Sequence, residues 1–200
     1  MSLTFAEASQ PSIPIIVLEA AQSEDWALTQ SERIQNWVRS SSFSGVIGQC
    51  LMVPSDSGLL ECVLMGYGTP ASRRRGRFTL AAAVCKLPEG CYHLQEGVPD
   101  ADLDEQALGW LLAGYSFTKY RKKTENNVDL VAPAGIDKAR IEAIAAGEVL
   151  TRDLVNTPAS DMGPADLQAA CCDLAERFSA QIAVISGADL LVQNLPMIHA

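Results

Sequence analysis

The chain has few side chains suited to chemistry. Its metal-ligating and nucleophilic candidates are two histidines, His93 and His199, and six cysteines, Cys50, Cys62, Cys85, Cys91, Cys171 and Cys172. Cys91-x-His93, with Cys85 close by, offers at most half of a structural zinc site, which takes four ligands in spaced pairs. No Cys-x-x-Cys or His-Glu-x-x-His occurs, so strand alternation placing Cys91 and His93 on one face is the preferred reading. Asp100-x-Asp102-x-Asp104-Glu105 has the spacing of a calcium loop. It lacks the glycine at the sixth position and carries Leu111 at the twelfth, where a bidentate glutamate belongs. These carboxylates read instead as negative charge at a helix N-terminus. Gly66-Tyr67-Gly68 and Gly76 lack the spacing of a phosphate-binding loop and fit a strand-to-helix turn.

Arg73, Arg74, Arg75 and Arg77 form the one basic cluster. Such a loop can meet nucleic acid, acidic headgroups or a neighbouring subunit. The net charge of −9 and pI near 4.7 disfavour a general nucleic-acid binder, which needs a positive face to displace counterions. A solvated loop is the preferred reading, with nucleic-acid or subunit contact kept as the functional one. Cys171 and Cys172 are neighbours on a helix and point about 100° apart. The cysteines read as reduced thiols, because the chain is long, not cysteine-dense and opens without a basic, apolar secretory signal. No window supplies the ~18 consecutive apolar residues of a membrane span.

The elements that must position these residues alternate between strand and helix. Ile13–Leu18, Cys50–Val53, Leu59–Met65, Cys91–Leu94 and Val128–Val131 are short, β-branched-rich or apolar runs bounded by turn residues. Between them, 23–38, 78–87 and 102–117 fit helices, and Lys119–Lys123 forms a basic loop after the last. The alternation predicts an α/β fold, a mixed sheet flanked by helices in three α/β/α layers.

A helix apolar on more than one side is predicted from Asp137 to about Val155, with Glu148 and Arg152 spaced to pair. Thr157-Pro158 must stop it. Gly163-Pro164 then starts another helix, with Asp166 in its first turn and an apolar stripe at Leu167, Ala170, Leu174 and Phe178. Gln181–Ile185 reads as a strand. One helix and one strand cannot bury enough surface to stand alone. With the apolar run stopping at His199-Ala200, the expectation is an incomplete second α/β domain and a longer parent protein.

Arg152-Asp153-Leu154-Val155-Asn156-Thr157-Pro158, Asp161-Met162 and Pro164 resemble the start of the catalytic domain of leucyl aminopeptidases, the cytosol aminopeptidases. Asn194-Leu195-Pro196-Met197-Ile198-His199-Ala200 is similar to the stretch that leads into that family's catalytic core. Ser160 and Gly163 depart from the asparagine and threonine common there. The resemblance implies an N-terminal, macro-domain-like α/β domain over 1–135, a connecting helix over 136–156, and the start of a metallopeptidase catalytic domain over 157–200. It implies a cytoplasmic homo-hexamer that removes N-terminal residues from peptides using two divalent metal ions, manganese or zinc. The family's metal motif would lie beyond Ala200, so the chain itself would supply an assembly or regulatory domain, bind no metal and be inactive. The alternative is a stand-alone nucleic-acid- or nucleotide-binding α/β module that uses the Arg73–Arg77 loop.

Overall fold

The computed structural model describes residues 3–121 and 127–199. The chain divides into two compact units, Met1–Asp153 and Leu154–Ala200. The first holds strands β1 (Ile13–Glu19), β2 (Cys50–Pro54), β3 (Leu60–Gly68), β4 (Gly90–Glu96) and β5 (Val128–Leu130), and helices α1 (Ser23–Leu28), α2 (Glu32–Ser40), α3 (Pro70–Arg73), α4 (Ala81–Val84) and α5 (Asp100–Ala113). Most of α6 (Lys138–Asn156) belongs to it as well. Lys122 and Lys123 of the expected basic loop lie outside the described residues.

The five strands form one mixed sheet in the order β2-β3-β1-β4-β5. β1 runs parallel to β3 and β4, β4 parallel to β5, and β2 antiparallel to β3. The central strand explains the unbroken apolar run in the sequence: a parallel strand covered on both faces has no polar side to alternate with. Ile15 and Val17 point into one core, with Val63, Met65, Tyr67 and Tyr92. Ile16 and Leu18 point into the other, with Cys62, Leu64 and Val53. Leu80, Ala83 and Val84 around α4, Ala107, Trp110 and Leu111 of α5, and Ile141 and Ala145 of α6 cover the first face. Ile34 and Val38 of α2 cover the second. The three-layer α/β/α fold expected from the sequence is therefore present.

Two expected helices differ. The helix over 23–38 is broken, because Thr29 caps α1 with its hydroxyl on the Trp26 carbonyl at 2.7 Å and a new helix begins at Glu32. The helix over 78–87 shrinks to α4. Phe78 adopts φ +57°, which no right-handed helix accommodates, and its N–H donates to the Glu105 carboxylate at 3.2 Å. Gly109 on α5 leaves room for the ring, since a Cβ there would lie 2.7 Å from the Phe78 Cβ.

In the second unit, Leu154–Asn156 closes α6, and α7 (Pro164–Arg177), α8 (Asp189–Val192) and α9 (Pro196–His199) follow. The start of α7 is as expected: Pro164 occupies the first turn and the Asp166 carboxylate accepts from the Gly163 N–H at 2.9 Å. The strand expected at 181–185 does not form. Residues 181–186 carry no strand pairing among the described residues, and a lone strand has no ladder to satisfy its backbone groups. None of the described residues after Thr157 is buried.

Candidate functional site

The carboxyl end of β3 is built by close backbone packing. A Cβ on Gly66 would sit 2.0 Å from the Val46 carbonyl oxygen, so only glycine lets the two backbones meet. Thr69 then starts α3: its hydroxyl accepts from the Ser72 N–H at 3.2 Å, and the Ser72 hydroxyl accepts from the Thr69 N–H at 2.9 Å. Gly66–Gly68 is thus the last part of β3, and the strand-to-helix turn that its spacing suggested follows at Thr69.

This turn swings Arg73 back over the strand it left. Its guanidinium lies 4.2 Å from the Tyr67 ring centroid, donates to the Tyr67 carbonyl at 3.2 Å and pairs with Glu19 at the end of β1. The Tyr67 hydroxyl donates to Asp102 at 2.8 Å, near the start of α5. Burial first, then this bond to a carboxylate, pushes the Tyr67 phenol well above its ordinary range, so it stays a neutral donor. Arg77 pairs with Glu105 at 2.9 Å. The Gln106 side-chain oxygen accepts from the Leu80 N–H at 3.0 Å. Together these residues enclose a cleft of about 330 Å³, whose lining includes Tyr67, Arg73, Arg74, Thr79, Asp102 and Gln106.

The cleft lies where open α/β sheets commonly bind ligands. The connection after β1 passes over one face of the sheet and those after β3 and β4 over the other, which opens a crevice outside the carboxyl ends. A second crevice of about 390 Å³ touches Val17, Leu18, Trp26, Glu96 and Gly97 at the ends of β1 and β4. Its polar lining residues are all exposed.

Of the basic cluster, Arg73 and Arg77 are engaged inside the domain, while Arg74 and Arg75 are exposed and make no ion pair or hydrogen bond among the described residues. Asp104 pairs with Arg140 at 3.2 Å, so the acidic run is spread around α5 instead of converging. Cys91 is buried, Cys85 is exposed, and His93 Nδ1 sits 2.9 Å from the Ser12 hydroxyl. That serine–histidine pair has no described carboxylate orienting the ring, which a nucleophilic serine requires. Burial pushes the Cys50 and Cys62 thiols up to about 11 and also raises Cys91, which makes them inert packing groups near neutral pH. Among the described residues, no group of three His, Cys, Asp or Glu side chains could hold a metal ion.

Sequence patterns did not reveal Tyr67, Thr79 and Gln106 as parts of one cleft. One signal was there: Gln106 is polar at a position beside Ala107 in the apolar stripe of α5. Residues 13–133 match the family M17 aminopeptidase, N-terminal domain. The chain belongs to the M17 aminopeptidases. The cytosol aminopeptidase from Coxiella burnetii superposes with a TM-score of 0.84 at 30% identity, covering 95% of this chain and 41% of that one. A probable cytosol aminopeptidase of Brucella anthropi is 32% identical over 178 residues, 74% of this chain and 34% of its own length. One of Gluconobacter oxydans is 29% identical over 185 residues, 78% and 36% respectively. The chain thus spans about a third of the length of these M17 relatives. The structure of bottromycin maturation enzyme BotP in complex with Mn is similar at a TM-score of 0.58 and 27% identity, covering 77% of this chain and 36% of BotP.

Proposed function

We infer that this chain is the N-terminal part of a metal-dependent leucyl aminopeptidase, an exopeptidase that removes N-terminal residues from peptides. The observation that carries the reading is the match over residues 13–133 together with the 0.84 superposition on a cytosol aminopeptidase. Residues 1–135 form the assembly or regulatory domain, 136–156 the connecting helix, and 157–200 the start of the catalytic domain. Leu167, Phe178, Val192 and Met197 support the last assignment, being 48%, 71%, 78% and 90% exposed. Apolar side chains in that number fit a surface that further residues of the same domain cover.

BotP with manganese and the family resemblance support a two-ion site, manganese or zinc, in the parent. The donors in this chain do not fit such a site, because no three of them cluster among the described residues. Hydrolysis is therefore assigned to residues beyond this chain. The parent is read as a cytoplasmic hexamer, in line with its relatives' name of cytosol aminopeptidase. No described helix is long and apolar enough to cross a membrane. In the competing reading, a stand-alone nucleic-acid- or nucleotide-binding α/β module using the Arg73–Arg77 loop, Arg75 is the main candidate. Arg73 and Arg77 are already paired, and Arg74 borders the cleft.

The test compares two proteins. A full-length parent should hydrolyse leucine p-nitroanilide with added manganese or zinc, and the 200-residue chain should not. Metal-dependent turnover by the chain alone would overturn the assignment, as would a parent gene that stops after Ala200.

A further inference from the structure

Two side chains in the cleft are buried with unused hydrogen-bonding capacity. Gln106 is 3% exposed and spends its side-chain oxygen on the Leu80 N–H, while its amide nitrogen has no partner among the described residues. Thr79 is 8% exposed, and its hydroxyl makes no hydrogen bond to a described residue. Among the described residues, no fully buried side-chain nitrogen or oxygen lacks a partner. Both groups must therefore reach open space, and the space they line is the cleft. Both are donors that face the cleft and are not used by any described residue, so an occupant with acceptor atoms can take them over from water.

The charges around the cleft say which kind. Arg73 is neutralised by Glu19, and Glu105 by Arg77. Among the described residues, the lining then retains one cation and one anion without an opposite charge: Arg74, which is exposed and unpaired, and Asp102, which holds only the neutral Tyr67 hydroxyl. A phosphate or other simple anion would meet Asp102, and a simple cation would meet Arg74. A ligand carrying both charges answers both residues. The volume of about 330 Å³ lies at the small end of ligand pockets, which run from ~300 Å³ upward.

We propose that the cleft binds a small zwitterion with an ammonium and a carboxylate, a free amino acid or a short peptide. Its carboxylate faces Arg74 and accepts from the Gln106 amide and the Thr79 hydroxyl, and its ammonium faces Asp102. The proposal stands whether or not the parent cleaves peptides.

The test is calorimetric titration of the 200-residue chain with L-leucine and with leucyl-glycine, which separates the two sources. N-acetyl-leucine and leucinamide, each lacking one charge, and inorganic phosphate are the controls. One or both zwitterions should bind, and each charge-deleted analogue should bind at least about tenfold more weakly. Arg74→Ala, Asp102→Asn and Gln106→Glu should each lower affinity by a similar factor. Gln106→Glu keeps the acceptor for Leu80, and Arg74 is on the surface, so circular dichroism should show both variants folded. Absence of zwitterion binding would overturn the proposal. So would leucinamide or phosphate binding as tightly as leucine, or unchanged affinity in folded Arg74→Ala and Gln106→Glu.

Discussion

Cys62 lies in the core between the sheet and α2, 7% exposed. Burial lifts its thiol from an ordinary 9.0 to about 11. Above 9.0 the unfolded chain loses this proton and the folded one keeps it, so stability is complete below 9.0 and falls as pH rises toward about 11. The denaturant midpoint should therefore drop between about pH 9 and 11, and Cys62→Val should flatten part of that slope, leaving the share of the other raised groups, Cys50, Cys91, Tyr67 and Tyr92. A midpoint constant over that range would contradict the burial argument. A second residue-scale prediction concerns Gly97, at φ +94°, where a Cβ would lie 1.7 Å from the Val17 carbonyl oxygen. Gly97→Ala should cost at least ~3 kcal/mol, because backbone has to move. Gly58→Ala, at φ +82° with nothing within 4 Å, should cost only the ~1–2 kcal/mol of left-handed strain. Equal costs in urea denaturation would refute the steric account. Neither constraint was legible in the sequence, where Gly97 is one more turn glycine and Cys62 one more apolar strand position. Both depend on which backbone lies opposite.

At the scale of elements, the sequence carried the five strands of the sheet well, the expected strand at 181–185 not at all, and the short helices poorly. The five strand positions stand out because each is a dense apolar run between turn residues. Helix α3 and the shrunken α4 do not, because α3 is only 4 residues long and α4 is cut short by the Phe78–Glu105 contact, which joins residues 27 apart. The Glu148–Arg152 pair formed as its spacing predicted, at 2.9 Å, since four residues along a helix is a local distance. Strand order was not legible either, so the gathering of β3, α3 and α5 around one cleft could not be read in advance. Helix α5 contributes Ala107, Trp110 and Leu111 to the first core. Trp110 is 2% exposed, stands 6.2 Å from the Tyr92 ring and donates its indole N–H to Val128 at 3.1 Å. Trp110→Ala should cost ~3–5 kcal/mol in urea denaturation, and a loss below ~1 kcal/mol would mean that the helix is not packed as described.

For the whole molecule, the two units should differ in protection. The first carries both apolar cores, whereas none of the described residues after Thr157 is buried. Backbone with few buried neighbours opens at low free energy. Limited proteolysis of the chain should cut first between Thr157 and Gly163 or beyond Ile185, and leave a core of the first ~135–155 residues. Amide exchange should be fastest in the same region. Removal of the first unit with survival of the residues after Pro158 would show the division to be misplaced.

The central place of β1 also sets a clock. Its parallel partners are β3 and β4, with Ile15 opposite Val63 and Leu94. During synthesis, a strand apolar on both faces leaves the ribosome long before the segment that completes its pairing. At ~5–20 residues per second the wait from Ile15 to Leu94 lasts on the order of 4–16 s. For that interval Ile13–Leu18 is among the stickiest stretches of the nascent chain, and a holding chaperone would find its first hold there.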